Sequence, residues 1–69
     1  MEIQMLDMVE LIVDLPNENL RRGRVGTVVE ILENGSVFEV DFWGLLESRE
    51  INSLALRSDQ IKKCVTRIK

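Results

Sequence analysis

Sixty-nine residues, 45% hydrophobic and 30% charged, suffice for one domain whose core lies near the lower limit of self-sufficiency. One cysteine (Cys64) and no histidine exclude an internal disulfide and a structural zinc site, which needs about four Cys or His ligands. The formal net charge of -3 disfavours a general nucleic-acid binder, whose affinity rests on neutralising phosphates, and oligomerisation is left as the remaining aid to stability.

Met1-Glu2-Ile3-Gln4-Met5 lacks the basic start and apolar run of a signal peptide, and no stretch approaches the roughly 18 apolar residues of a membrane span. With a lone cysteine, this predicts a cytoplasmic protein that does not engage a membrane.

The first predicted strand runs from Met8 to Asp14, with Val9, Leu11 and Val13 on one face and Glu10 and Asp14 on the other. Leu15-Pro16-Asn17-Glu18-Asn19 breaks it, and a loop runs on to Gly23. Two glycines three apart, Gly23 and Gly26, then lead into the β-branched run Thr27-Val28-Val29, so a second strand is predicted from Arg24 to Leu32. Asn34-Gly35 between apolar runs is a hairpin signal, since both central residues of a type I′ turn need positive φ. Asn34-Gly35-Ser36 also fits the glycosylation acceptor pattern, but without a secretory signal it reads as the turn alone.

Phe38, Val40 and Phe42 alternate with Glu39 and Asp41, which predicts a third strand from Val37 to Phe42 with its carboxylates on a solvated face. A fourth strand, polar enough for an exposed or edge position, is predicted after Gly44 at residues 48–53. The C-terminal segment has two readings. Ile61, Cys64, Val65 and Ile68 fall at helical spacing behind Ser58, yet the segment is short and rich in weak helix formers. The preferred reading is a helical turn near Leu56 to Asp59, then a last strand from Gln60 to about Val65.

Charge is uneven along the chain. Residues 1–20 contain Glu2, Asp7, Glu10, Asp14 and Glu18 and no base, whereas Arg57, Lys62, Lys63, Arg67 and Lys69 in residues 54–69 face only Asp59. A basic tail for an acidic partner is one reading. The preferred one sets the two segments side by side in a sheet, where opposite charges stabilise modestly.

Several blocks follow one another in order: Asp7-x-Val9-x-Leu11, Asp14-Leu15-Pro16, Leu20-x-x-Gly23-x-Val25-Gly26-Thr27-Val28-Val29-Glu30, Phe38-Glu39-Val40-Asp41-Phe42, Leu54-x-Leu56 and Asp59-Gln60-Ile61. From Met5 to about Val65 the chain closely resembles the bacterial family known as domain of unknown function 4926. Its members are short proteins, frequent in cyanobacteria, that look related to KOW/SH3-like barrels. The resemblance implies an all-β fold: a small, strongly bent five-stranded SH3-like (KOW-like) barrel with a short helical turn before the last strand. It carries no activity, so no catalytic or ligand residues transfer. Its members' gene pairing with small toxin- or immunity-type proteins implies a protein partner encoded nearby. The chain departs from the family at Phe42-Trp43-Gly44-Leu45-Leu46-Glu47, where Gly44 fits and Trp43, Leu45 and Leu46 do not.

Nothing in the sequence points to catalysis, and no cofactor or metal is expected. General acid–base work usually uses His or shielded carboxylate pairs, and here the carboxylates alternate with apolar residues. Cys64 has no histidine to activate it and reads as a small buried apolar residue. Gly23-x-x-Gly26 lacks the phosphate-loop pattern and leads into a strand. The candidate partner-binding residues are Trp43, Leu45 and Leu46, a contiguous apolar loop, together with Arg21, Arg22 and Arg24. Trp43 has two readings: closing the core, or forming an interface that includes a homodimer. The leading expectation is a non-catalytic protein-binding module, antitoxin-, immunity- or adaptor-like. The alternative is an RNA- or ribosome-associated module using the arginine loop, against which the acidic balance and sparse aromatics count.

Overall fold

The computed structural model describes residues 2–43 and 53–64. Five antiparallel strands form one sheet: β1 (Met8–Leu11), β2 (Val25–Leu32), β3 (Val37–Asp41), β4 (Ser53–Arg57) and β5 (Ile61–Lys63), in the order β4-β3-β2-β1-β5. The outer strands β4 and β5 are not hydrogen-bonded to each other, so the sheet is not closed into a cylinder.

β1 is shorter than its apolar alternation predicts. It ends at Leu11, and the chain bends through Ile12 and Val13 into a 3₁₀ turn at Pro16–Glu18. Asn19 ends that turn with φ +60, a left-handed conformation that asparagine tolerates, and a bridge between Leu15 and Leu20 closes the loop. The two glycines have different tasks. Gly23 turns the chain with φ +95, whereas Gly26 has an ordinary backbone and lets β3 approach closely. A Cβ on Gly26 would sit 2.7 Å from both Phe42 Cδ1 and Val40 Cγ1, and 2.9 Å from the Asp41 carbonyl oxygen.

β2 joins the two halves of the sheet. Its residues Val25, Gly26 and Thr27 pair with β1, and Thr27 onward pairs with β3. The β2–β3 register shifts between Val28 and Glu30, leaving one extra residue on β2, a bulge that bends and twists the strand. The β2–β3 connection has positive φ at Asn34 and Gly35 as expected, but also at Glu33. The last pair is Leu32–Val37, which makes a four-residue loop instead of a two-residue one.

The core consists of Val9, Leu11, Leu20, Val28, Phe38, Val40, Phe42, Leu56 and Ile61, with Ile3, Leu15, Ile31 and Leu54 packed against it. The alternation in β3 holds for Phe38, Val40 and Phe42, but Asp41 is buried instead of solvated; its Oδ1 accepts the Trp43 N–H at 2.9 Å. Cys64 is half-buried, and burial first, then the Glu10 charge, pushes its thiol pKa up.

The fourth strand lies later than predicted. β4 occupies Ser53–Arg57 at the sheet edge and meets the expected span only at Ser53; residues 48–52 lie outside the described part. The helical turn follows it at Ser58–Gln60, and Ile61–Lys63 is a strand, so the strand reading holds for that segment. Residues 65–69 lie outside the described part.

The charge asymmetry has a structural counterpart, because β1 and β5 are neighbours. Glu10 pairs with Lys62, and the Lys63 Nζ lies 3.3 Å from Asp7 Oδ2. The Gln4 N–H also donates to that oxygen, at 2.8 Å. Foremost this hydrogen bond, then Lys63, hold the Asp7 carboxyl below its ordinary 3.8, against an upward push from burial. A lowered folded-state value adds stability above the ordinary one, and that stability is lost as pH falls through the folded value. Asp7→Asn is therefore expected to lower the urea midpoint at neutral pH, with the difference from the parent shrinking below about pH 4. Midpoints measured at the two pH values check this.

Candidate functional site

Trp43 follows directly on the last residues of β3. Alternation buries Phe42 and turns Trp43 outward, where the indole is 37% exposed. The two rings meet edge to face, with centroids 6.0 Å apart and planes at 90°. This geometry suits aromatic quadrupoles and gives the exposed ring a fixed neighbour. The Trp43 N–H is tied to the Asp41 carboxylate, which sets the direction of the chain where it leaves the strand.

Arg24 stands just before β2. The carbonyl of that residue accepts the Leu11 N–H at 2.9 Å, and its guanidinium Nη2 donates to the Phe42 carbonyl at 3.1 Å. The side chain thus crosses from the start of β2 to the end of β3, beside Trp43. Two residues from separate loops of the sequence, Arg24 and Trp43, are brought together. The sequence carried no signal for this bond, which depends on Gly26 letting the strands approach.

Arg21 and Arg22 lie apart from that pair, on the turn stabilised when the Arg22 N–H donates to Asp14 Oδ1 at 2.8 Å. Both are exposed and line a shallow depression with Asp14, Pro16 and Leu20. Their proximity to Asp14 offsets part of their charge toward a distant anion. Leu45 and Leu46 lie outside the described residues.

Sequence reading missed a second feature. Met5, Leu6, Met8 and Val25 are exposed large apolar residues, as is Trp43. Met8 pairs with Thr27 and Glu10 with Val25, so Met8 and Val25 share the outer face of β1–β2. Leu6 adopts φ +69 and is 70% exposed, in a turn closed by the Asp7 N–H to the Gln4 carbonyl at 3.1 Å. The signal available was the lack of charge at outward positions 8 and 25.

An open groove is lined by Ile3, Ile31, Phe38 and Ile61 together with Ser58 and Lys62. Among the described residues no three Cys, Asp or Glu side chains gather to hold a metal ion, and no helix is long and apolar enough to cross a membrane.

Strand order and core thus define a small all-β domain with one five-stranded antiparallel sheet and 3₁₀ turns. Residues 5–63 match the family described as Domain of unknown function (DUF4926), and the chain belongs to that family. No curated protein and no solved structure matches the chain.

Proposed function

We propose that this chain is a small non-catalytic protein-binding module, an adaptor-, antitoxin- or immunity-like partner of a neighbouring gene product, that engages through Trp43 and Arg24. Its bent sheet is read as an SH3-like, KOW-like barrel. What supports the barrel reading is the β4-β3-β2-β1-β5 order, the sharing of β2 between the two halves, and the 3₁₀ turn between β4 and β5.

The observation that carries the binding reading is the exposed Trp43 ring beside the anchored Arg24. Trp and Arg are the residue types most enriched where binding energy concentrates, and an indole already packed on Phe42 loses little freedom on contact. Against the RNA reading stands the spread of its arginines: Arg21 and Arg22 lie on the turn beside Asp14, apart from Arg24.

Trp43 is the chain's sole tryptophan, so its emission reports the site directly. Titration with the co-expressed product of the adjacent gene is expected to shift the emission to the blue, and Trp43→Ala to weaken binding by about 2 kcal/mol or more. Emission that stays solvent-like and unmoved by that product would overturn the proposal.

A further inference from the structure

The two edges of the sheet are not alike. β5 has three residues, two of them lysines, which is a common way to keep an edge from recruiting another strand. β4 has five residues, Ser53-Leu54-Ala55-Leu56-Arg57, with no lysine, no proline and no bulge in its pairing to β3. Among the described residues no strand pairs with its outer side, an edge of the kind that proteins ordinarily block.

The direction of its backbone groups follows from neighbouring bonds. The Ser58 N–H donates to the Ser36 carbonyl at 3.1 Å, next to the Val37–Arg57 pair. Antiparallel ladders alternate, so Leu56 and Leu54 turn their backbone groups toward Phe38 and Val40, while Ser53, Ala55 and Arg57 turn theirs away from β3. The Arg57 N–H is occupied by Gln60 Oε1 at 2.8 Å. The N–H and C=O of Ala55 and of Ser53 point along that edge, whereas the Arg57 C=O accepts the Gln60 N–H in the 3₁₀ turn.

We infer that the β4 edge pairs antiparallel with β4 of a second copy of this chain, about a two-fold axis at Ala55, to make a dimer with a continuous sheet. In this register Ala55 exchanges both backbone bonds with Ala55 of the second copy. The small Ala55 side chain keeps the centre clear. On the core face, half-buried Leu54 lies opposite Leu56 of the second copy, so the two cores join across the seam, each lengthening a core of marginal size.

Charge selects a second copy over a generic strand. Arg57, two-thirds exposed and paired with Asp59 at 3.0 Å, would lie opposite Ser53 of the other copy. That Ser53 Oγ donates to Glu39 Oε1 at 2.6 Å, which draws the carboxylate toward the seam. Each Arg57 therefore meets a Glu39, twice over by symmetry. Glu39 also lies directly opposite Glu30 on β2, a like-charge pair that an added cation relieves.

Sedimentation equilibrium over the micromolar range tests this. The parent chain is expected to pass from its 8.0 kDa monomer to twice that mass. Ala55→Pro removes an outward N–H that the pairing with β3 does not use, so it should abolish the dimer while leaving the far-ultraviolet circular dichroism close to the parent's. Arg57→Glu should weaken the dimer about tenfold, and adding Glu39→Arg to it should restore association. The charge pair keeps the test sound should the proline variant misfold. A chain that stays monomeric throughout overturns the inference. So does a dimer indifferent to the β4 substitutions, or one lost on Trp43→Ala instead, which would assign self-association to the Trp43 surface.

Discussion

Gly26→Ala is expected to destabilise the protein by about 1–3 kcal/mol, and Gly26→Val by more. The position has no positive φ, so the cost is steric and not conformational. The new Cβ meets Phe42 and Val40 side-chain atoms at 2.7 Å, and those side chains have some room to shift. The Asp41 carbonyl at 2.9 Å is backbone and has little. The clash would push the end of β3 away from β2 and lengthen the Arg24–Phe42 bond, so the Trp43 site should loosen along with the core. Urea denaturation checks the magnitude. Phe42→Leu in the Gly26→Ala background should recover part of the loss, since it removes one of the two closest contacts. Full additivity of the two changes would mean that they do not share a contact.

Phe38→Ala is the second large effect, at about 3–5 kcal/mol. Phe38 is buried in β3 between Ile31 on β2 and Leu56 on β4, and it also lines the groove. Truncation removes one of the largest core side chains and opens the space beneath to the groove. A chain of this length has a total stability of about 3–10 kcal/mol, so the variant should be mostly unfolded near physiological temperature. The expected readout is loss of the cooperative urea transition, or a midpoint shifted close to zero denaturant. A shift of a few tenths of a kcal/mol would show that the groove side collapses to fill the void.

Residues whose own chemistry sets their conformation were the legible ones. Asn34-Gly35 announced a turn because few residues tolerate positive φ, and Phe38, Val40 and Phe42 announced a strand because their alternation matches the pleat. The opposite charges of the first and last segments pointed to their pairing. β4 was harder to locate, because Ser53-Leu54-Ala55-Leu56-Arg57 has weak β formers and becomes a strand by pairing with β3. Asp41 misled for a related reason: alternation gives the face a residue points to, not whether later chain covers that face. The Arg24–Phe42 bond was invisible because it joins positions eighteen apart that only the folded sheet brings together. Trp43 was legible as an outlier in composition, but its packing on Phe42 was not. The exposed Met8 and Val25 were passed over because each, taken singly, is an ordinary strand residue.

The pairing of β1 with β5 bears on how the molecule is made. Val9 and Lys63 stand side by side although nearly the whole chain lies between them. Ile61, a core residue, belongs to the strand that covers the second side of β1. A nascent chain therefore has no complete sheet until β5 has emerged, and β1 has one side unpaired until then. Folding must wait for β5 and then bring Val9 to Lys63, a long-range pairing of the kind that slows folding. During that interval the alternating strands β1 to β3 stand open to each other and to any neighbour.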